Sequence, residues 1–520
     1  MPDVGRLLPG LLLAAATTLA AGAAHAEPAE VASVGTADAA FAWQSADPTP
    51  TRVRLRRVGD ATEWRTVEAE HEPSRFHVLE VDGLEPGTGY EYCLGDAENT
   101  PRGTLTTRTP PPGERVGVLW VLADIHLCAP EVQDCPNGLR RLGAANGIYA
   151  AVLDEVRARA AALPAGLPQA IVVLGDLAQH PVPETWRLVA RSATGDLPLC
   201  LIPGNHDGWD EAWTTRLAET TEALDDPACR YDGVRGELSV GPWRILLLSS
   251  VVAGENWGEL GDEQRAWLEQ RLAAEPARPT LLALHHPYVP HPLSPLLGEA
   301  TTYAQLHDAA ALETLLARHP QVHGALSGHL HVNWTGTRGA VTQHIFSATS
   351  QFPVGYHSLT LHEGGLVRRF HPLGAAAEES AASADELRSW AADREIPLAG
   401  AVTGVVAGDL ASRSGVQRLP DEPLAPERAA PDPAAADAAP VRASESGPDA
   451  ATPGRPSAGE AAARNPEDAA RTAGARRSNS GCRCTFSTTA NGKVALAMLT
   501  LLAACLHRRR RRAARRETRP

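Results

Sequence analysis

Five short blocks carry side chains capable of chemistry, and each directly follows an apolar run. They are Ala123-Asp124-Ile125-His126, Gly175-Asp176, Gly204-Asn205-His206-Asp207, His285-His286-Pro287 and Gly328-His329-Leu330-His331. Together they offer carboxylates, imidazoles and one amide oxygen, the mixture that borderline divalent metals prefer. Glycines beside the polar residues allow sharp turns and close backbone approach. Singly, each block has a structural explanation: a turn for Asp-x-His or Gly-Asp, a helix cap for Asn-His-Asp, a buried pair for His285-His286. All five in one order between Asp124 and His331 point jointly to a metal centre.

The elements around them alternate. Val116–Leu122 reads as a buried strand, Ile148–Leu163 as a helix, and Ala170–Leu174 and Leu197–Ile202 as strands. Arg244–Ser249 and Thr280–Leu284 are further strands, and Asp262–Ala274 is an amphipathic helix with Trp267, Leu268 and Leu272 on its apolar face. Residues 114–373 therefore predict an α/β layered domain, whose strand ends would carry the polar blocks.

Before it, residues 30–109 alternate as short strands do, for example in Ala40-Phe41-Ala42-Trp43 and Arg52-Val53-Arg54-Leu55. Leu84-Glu85-Pro86-Gly87-Thr88-Gly89-Tyr90-Glu91-Tyr92 resembles the tyrosine corner of a fibronectin type III sandwich, with Trp43 as its inner-face tryptophan. A spacer or packing role is expected for this all-β domain. Residues 374–481 are rich in Ala, Pro and charged residues and poor in large apolar ones, so a disordered linker is expected, with room for a helix at Glu378–Arg394.

The two ends read as sorting signals. Arg6, the apolar Leu7–Ala21 and Ala24-His25-Ala26 make a secretory signal over residues 1–26. Residues 482–520 hold Cys482 and Cys484, a polar spacer, the apolar Val494–Leu506 and eight Arg between 508 and 519. That apolar run is shorter than the ~20 residues of a membrane span. Its order resembles the myxobacterial MYXO-CTERM sorting tail, which implies processing near Cys482 and retention at the outer membrane or cell surface. Export permits disulfides. Cys128 with Cys135, and Cys200 with Cys229, are possible bridges that leave Cys93 over, and sequence alone does not fix the pairing.

Charge limits the partners. The formal net charge is −14, and residues 483–520 contribute ten Lys/Arg against one Asp/Glu, so the rest carries −23. Such a surface argues against nucleic acid, which calls for a basic stripe, but not against a small phosphate ester held by metals.

Within residues 114–373 the five blocks resemble the calcineurin-like metallophosphoesterase family, whose pattern is D-x-H, G-D, G-N-H-D/E, H and G-H-x-H. The resemblance implies a four-layer α/β fold, a β-sandwich flanked by helices. It implies that Asp124, His126 and His331 bind one divalent ion, that Asn205, His285 and His329 bind a second, and that Asp176 bridges them. His285 is chosen over His286 because the family's ligand lies two residues before the Pro. The ions would come from Fe, Mn, Zn and Co. His206 would be the catalytic histidine beside them, with Asp207 either orienting it or capping a helix. Two ions ~3.5–4 Å apart clamp an in-line displacement and lower the pKa of a shared water to give a hydroxide nucleophile. His206 would stabilise phosphoryl charge or protonate the leaving alkoxide.

Two branches of the family compete. A fibronectin-like domain ahead of the catalytic one resembles purple acid phosphatases, but their Tyr three residues after the bridging Asp is Gln179 here. Gly175-Asp176-Leu177-Ala178-Gln179-His180 and Leu260–Leu268, running on to His285-His286-Pro287, are more similar to the class III cyclic-nucleotide phosphodiesterase and glycerophosphodiesterase branch. The expected activity is hydrolysis of phosphodiesters or small phosphomonoesters at the cell surface. Trp209, Tyr288 and Asn333 are candidates either to shape the pocket or to serve as packing residues. The competing reading is a surface binding or adhesion protein that keeps the fold with weak catalysis.

Overall fold

The N-terminal segment folds as seven antiparallel strands in two facing sheets. They are β1 (Val31–Val34), β2 (Asp38–Thr49), β3 (Arg52–Arg57), β4 (Arg65–Glu68), β5 (Ser74–Asp82), β6 (Gly89–Leu94) and β7 (Gly103–Thr106). The orders are β1-β2-β5 and β4-β3-β6-β7. Alternate residues point inward, so Phe41, Val53, Leu55, Val81 and Tyr92 share one core. The Tyr90 hydroxyl accepts from the Glu85 backbone N–H at 2.9 Å, the contact the Leu84–Tyr92 segment led us to expect. Trp43 lies on the same face of β2 as Phe41 and packs at the border of this core. Phe41 fills the centre, while Trp43 is half-buried and stacks on His77 with 4.6 Å between ring centres.

This computed structural model describes residues 30–60, 64–95, 102–129, 142–190, 197–209, 212–224, 229–291, 305–393 and 402–419. All belong to one unit, Met1–Pro426. The expected export signal, the linker beyond 419 and the sorting tail lie outside the described residues.

The second region is built on two sheets. The first runs β10 (Leu199–Ile202), β9 (Gln169–Leu174), β8 (Arg115–Leu122), β18 (Gly355–His362), β19 (Gly365–Pro372), β20 (Ser414–Arg418). The second runs β11 (Arg230–Tyr231), β12 (Arg235–Val240), β13 (Trp243–Leu248), β14 (Thr280–Ala283), β15 (Val322–Ser327), β17 (Val341–Ile345), β16 (Trp334–Arg338). Their strands read as unbroken apolar runs because both faces are covered. In β8, Leu119 and Val121 face the other sheet, while Val118, Trp120 and Leu122 face helices. In β13, Ile245 and Leu247 point between the sheets and Leu246 and Leu248 point outward. The outer layers are α1 (Leu142–Ala161) and α2 (Pro183–Ala190) on one side, and α4 (Gly261–Ala274) and α5 (Ala309–Leu316) on the other, with α3 (Trp213–Leu224) joining the first. The result is the expected four-layer α/β arrangement.

The expected disordered linker from residue 374 is corrected. The fold continues through α6 (Ala377–Asp393), α7 (Val402–Ala407) and α8 (Leu410–Arg413) to β20, the edge strand beside β19. Hydropathy is silent there because Val416 is the single large apolar residue of β20. Backbone hydrogen bonding to β19 holds it instead. Ser383 and Ser380 of α6 accept the backbone N–H groups of Phe352 (3.0 Å) and Val354 (3.2 Å), which fastens the loop before β18.

The β-sandwich docks on this sheet through polar contacts. The Val34 N–H donates to Ser414 Oγ at 2.8 Å, Arg369 pairs with Asp38 at 2.8 Å, and Glu80 meets Arg159 at 2.8 Å and His371 at 3.2 Å. Cys200 and Cys229 form a disulfide, as one of the sequence pairings has it. Cys128 is also disulfide-bonded, with its partner outside the described residues, and Cys93 is a buried thiol.

Candidate metal centre

Strand direction gathers the five blocks. β8, β9 and β10 run parallel, as do β13, β14 and β15, so the loops leaving their C-terminal ends emerge along one edge. The loops then interlock. The Asp124 N–H donates to the Gly175 carbonyl at 3.1 Å and the His126 N–H to the Asp176 carbonyl at 2.9 Å. A Cβ on Gly204 would overlap the Asp176 carboxylate, and one on Gly328 that of Asp124, so only glycine admits this spacing.

The backbone itself is unusual here. Among the described residues, the non-glycine positions with positive φ are Asp124 (50°), His126 (46°), Asp176 (49°), His329 (68°) and His331 (54°). Each costs ~1–2 kcal/mol in an L-residue. Strain confined to five of the seven predicted ligands marks a site over-determined by its surroundings.

The side chains form two sets that share Asp176. On one side, Asp176 Oδ2 lies 3.6 Å from His126 Nε2, which lies 3.2 Å from His331 Nε2, itself 3.3 Å from Asp124 Oδ1. On the other, Asp176 Oδ1 lies 3.4 Å from His285 Nε2, which lies 3.0 Å from Asn205 Oδ1, with His329 Nδ1 at 2.9 Å from the same amide oxygen. Donor atoms of Asp124, His126, Asp176 and His331 all lie within 4.8 Å of one another.

Outer partners decide which atoms face inward. His285 Nδ1 donates to the Leu174 carbonyl at 2.8 Å, which leaves its Nε2 lone pair toward Asp176 and Asn205. The Asn205 amide nitrogen donates to Asn256 Oδ1 at 3.2 Å, so its oxygen faces the site. His331 Nδ1 meets Gln351 Oε1 at 2.8 Å, which again leaves Nε2 inward. A ring nitrogen, an amide oxygen and a carboxylate therefore converge. Burial works to lower the His285 pKa, but the Asp176 and Asp124 carboxylates outweigh it and raise it, so positive charge is favoured there. Cations satisfy such a set, and the oxygen-and-imidazole donors suit divalent ions. Burial alone would raise the Asp176 pKa, but His285, His206, His126 and His329 around it hold the carboxyl well below the usual range.

His286 stays beside its neighbour, 4.9 Å between ring centres, and one donor atom each of His285, His286 and His329 lie within 4.8 Å of one another. The Nδ1 of His286 meets the Ser250 hydroxyl at 2.8 Å, and burial pushes its pKa well down. It also lies close to His329, with 4.5 Å between ring centres. His206 stands beside the clusters, edge-on to His126 at 4.9 Å and stacked on Trp209 at 4.7 Å. Its Nδ1 donates to the Gln179 carbonyl at 3.2 Å.

Several side chains have roles that the sequence left open or hid. Asp207 neither orients His206 nor caps a long helix. Its carboxylate accepts from the backbone of Leu177 (3.0 Å), Ala178 (2.9 Å) and Gly204 (2.8 Å), tying two ligand loops together. Trp209, 49% exposed, walls the site through His206. Tyr288 and Asn333 are packing residues instead: Tyr288 sits in the core beneath the second sheet, and Asn333 accepts from the Ser347 N–H at 3.1 Å. Gln351, Asn256 and Ser250 escaped sequence reading because each acts through another side chain and belongs to no motif.

Residues 117–333 match the calcineurin-like phosphoesterase family. The 3',5'-cyclic adenosine monophosphate phosphodiesterase CpdA of Escherichia coli K12 is 35% identical over 240 residues, 43% of this chain and 80% of that one. A cAMP/cGMP dual specificity phosphodiesterase of Mycobacterium tuberculosis is 34% identical over 188 residues, 35% of this chain and 54% of that one. A dimetal phosphatase structure from Danio rerio aligns with a TM-score of 0.38 at 16% identity, over 49% of this chain and 96% of that one. The chain belongs to the calcineurin-like phosphoesterase family, and with it to the metal-dependent phosphoric ester hydrolases.

Proposed function

We propose that the protein is a dinuclear metal-dependent phosphodiesterase acting on small phosphodiesters, 3',5'-cyclic nucleotides among them. The observation that carries this reading is Asp176, whose two oxygens face two separate donor sets. Asp124, His126 and His331 with one oxygen would hold one ion, and Asn205, His285 and His329 with the other would hold the second. Bound there, divalent ions supply Lewis acidity, neutralising phosphoryl charge and lowering the pKa of water. His206 is the proton-transfer residue: with Nδ1 committed to the Gln179 carbonyl, exchange with the leaving alkoxide runs through Nε2. Trp209 keeps that ring in plane and shields one face of it. Relatives named as cyclic nucleotide phosphodiesterases support the diester class. The sequence of residues 1–26 and 482–520 supports export and surface attachment, and the strand order with the Tyr90 contact supports a fibronectin-like N-terminal domain.

The test is turnover of bis-p-nitrophenyl phosphate, p-nitrophenyl phosphate and 3',5'-cAMP by protein loaded with Mn, Fe or Zn. Diester hydrolysis should exceed monoester hydrolysis. It should fall ~10²–10⁴-fold in His206→Ala with metal still bound, and Asp176→Asn should lose activity together with metal. Two bound metals with no turnover of any of the three esters would sink the reading.

A further inference from the structure

The loop between β13 and α4 reaches the second ligand set, and it is held on every side. It is closed at its base, where Val251 pairs with Gly258 in an antiparallel bridge and the Glu259 N–H donates to the Ser250 carbonyl at 3.0 Å. The base rests on His286. Ser250 Oγ meets His286 Nδ1 at 2.8 Å and accepts the His286 backbone N–H at 3.1 Å, and Gly258 packs so close to the ring that a Cβ there would overlap it. One flank is tied to the loop that carries His206, where the Gly254 N–H donates to the Gly208 carbonyl at 3.0 Å. The other is fixed by Trp257, stacked on His307 with 4.0 Å between ring centres.

Between these anchors stands the exposed Asn256. A chain of partners sets its amide. The Asn205 oxygen faces His285 Nε2 (3.0 Å) and His329 Nδ1 (2.9 Å), so the Asn205 nitrogen points outward and donates to Asn256 Oδ1 at 3.2 Å. The Asn256 oxygen is thereby spent on Asn205, and its NH₂ is left over: none of the described residues accepts from it. The carboxylate next in sequence, Glu255, is engaged by the Trp257 indole N–H at 3.0 Å. His206 flanks the first ligand set through His126, and Asn256 flanks the second through Asn205. A fixed donor on the rim of a cation site is complementary to an oxyanion, whose oxygens accept more strongly as charge builds on them.

We propose that Asn256 is a substrate-binding residue: beyond orienting Asn205, its NH₂ donates to a non-bridging phosphoryl oxygen of the ester at the second ligand set. The proposal rests on the phosphoesterase reading above.

Two variants of the full chain separate the two tasks. Asn256→Asp keeps the acceptor that Asn205 needs and removes the donor, whereas Asn256→Ala removes both. Metal affinity is read by chelator competition with Mn. At saturating Mn, kcat/KM is measured for bis-p-nitrophenyl phosphate, and the affinity for inorganic phosphate is measured by calorimetry. We expect Asn256→Asp to keep most of the metal affinity. Both variants should lose ~10–100-fold in kcat/KM and in phosphate affinity, the loss of one hydrogen bond to a charged group. The loss in Asn256→Asp should persist in 1 M salt, where repulsion between charges reaches only ~3 Å. Natural kcat/KM and phosphate affinity in either metal-saturated variant, or a loss that 1 M salt abolishes, overturns the proposal and leaves Asn256 an orienting residue alone. Should Asn256→Asp lose its metal, Asn256→Ala at saturating Mn decides. A natural protein that holds two metals and binds phosphate but hydrolyses no ester would sink the phosphoesterase reading, while the phosphate titration still decides the Asn256 contact. Absence of phosphate binding by the metal-loaded natural protein overturns the contact.

Discussion

Asp207 is a buried carboxylate whose acceptor capacity is spent on three backbone N–H groups, from the loops that carry Asp176 and Asn205. Asp207→Asn keeps the shape but turns an NH₂ toward donors that need an acceptor. Burial and the neighbouring Asp176 raise the Asp207 pKa to about 7 against the pull of those three N–H groups, so the cost of the variant lies with the donors themselves: a stranded donor costs ~1–3 kcal/mol. We therefore expect a loss of about 2–4 kcal/mol in urea unfolding, together with weaker metal binding; unchanged stability would refute the bracing role. Gln351 acts through His331 rather than on substrate. Gln351→Ala should lower metal affinity ~10–100-fold, read by chelator competition, while Gln351→Glu, which keeps the acceptor, restores most of it. The candidate ligands were legible in the sequence because each sits in a local motif: the structure brings together Asp124, His126, Asp176, Asn205, His285, His329 and His331, with His206 alongside. Gln351 and Asn256 were not, because no local spacing ties them to the histidine and amide they orient.

At the scale of elements, parallel strand direction does the assembling, and it too was legible: apolar runs bounded by Gly-Asp or Gly-His forecast strand ends carrying polar loops. The C-terminal boundary was not. β20 has a single large apolar residue and α6 is rich in Ala and Ser, so neither announces a packed element by periodicity. Yet Ser380 and Ser383 of α6 fix the loop that begins at Gln351, and β20 covers the edge of β19. A chain ending at residue 373 would bare that edge, an invitation to intermolecular pairing, and would release the loop behind His331. Compared with a chain ending at 419, it should melt at least several degrees lower, aggregate in light scattering and bind metal more weakly. Equal melting and metal affinity would show that the α6–β20 segment is dispensable to the centre.

At the scale of the whole molecule, the sandwich and the catalytic sheets are joined by a charged cluster whose members respond to acid in different directions. Burial works to raise the Glu80 pKa, but Arg369, His371 and Arg159 outweigh it and hold the carboxyl well below its ordinary value of 4.5. Burial, with Arg369 beside it, pushes His371 from 6.5 to about 3, so the ring is neutral in the fold. Below pH 6.5 the unfolded chain takes up a proton at His371 that the folded one refuses, so stability falls as pH drops toward 3. The contribution of Glu80 is present above pH 4.5 and is lost as pH falls below it, because there the unfolded carboxyl protonates first. Asp38, raised by burial, opposes this trend, but one residue against two leaves the net slope downward. The melting temperature should hold from pH 8 to 7 and then decline from about pH 6.5 to 4. Glu80→Gln removes the partner of Arg369 and Arg159 and should cost about 2–3 kcal/mol at pH 7, below the ~3–5 kcal/mol of a fully buried pair. The gap between the variant and the natural protein should narrow as pH falls from 5 to 3, since the unfolded natural chain there takes up a proton at Glu80 that the folded one refuses, and the variant has no such proton to take. A gap independent of pH would mean that Glu80 holds the two domains by packing alone.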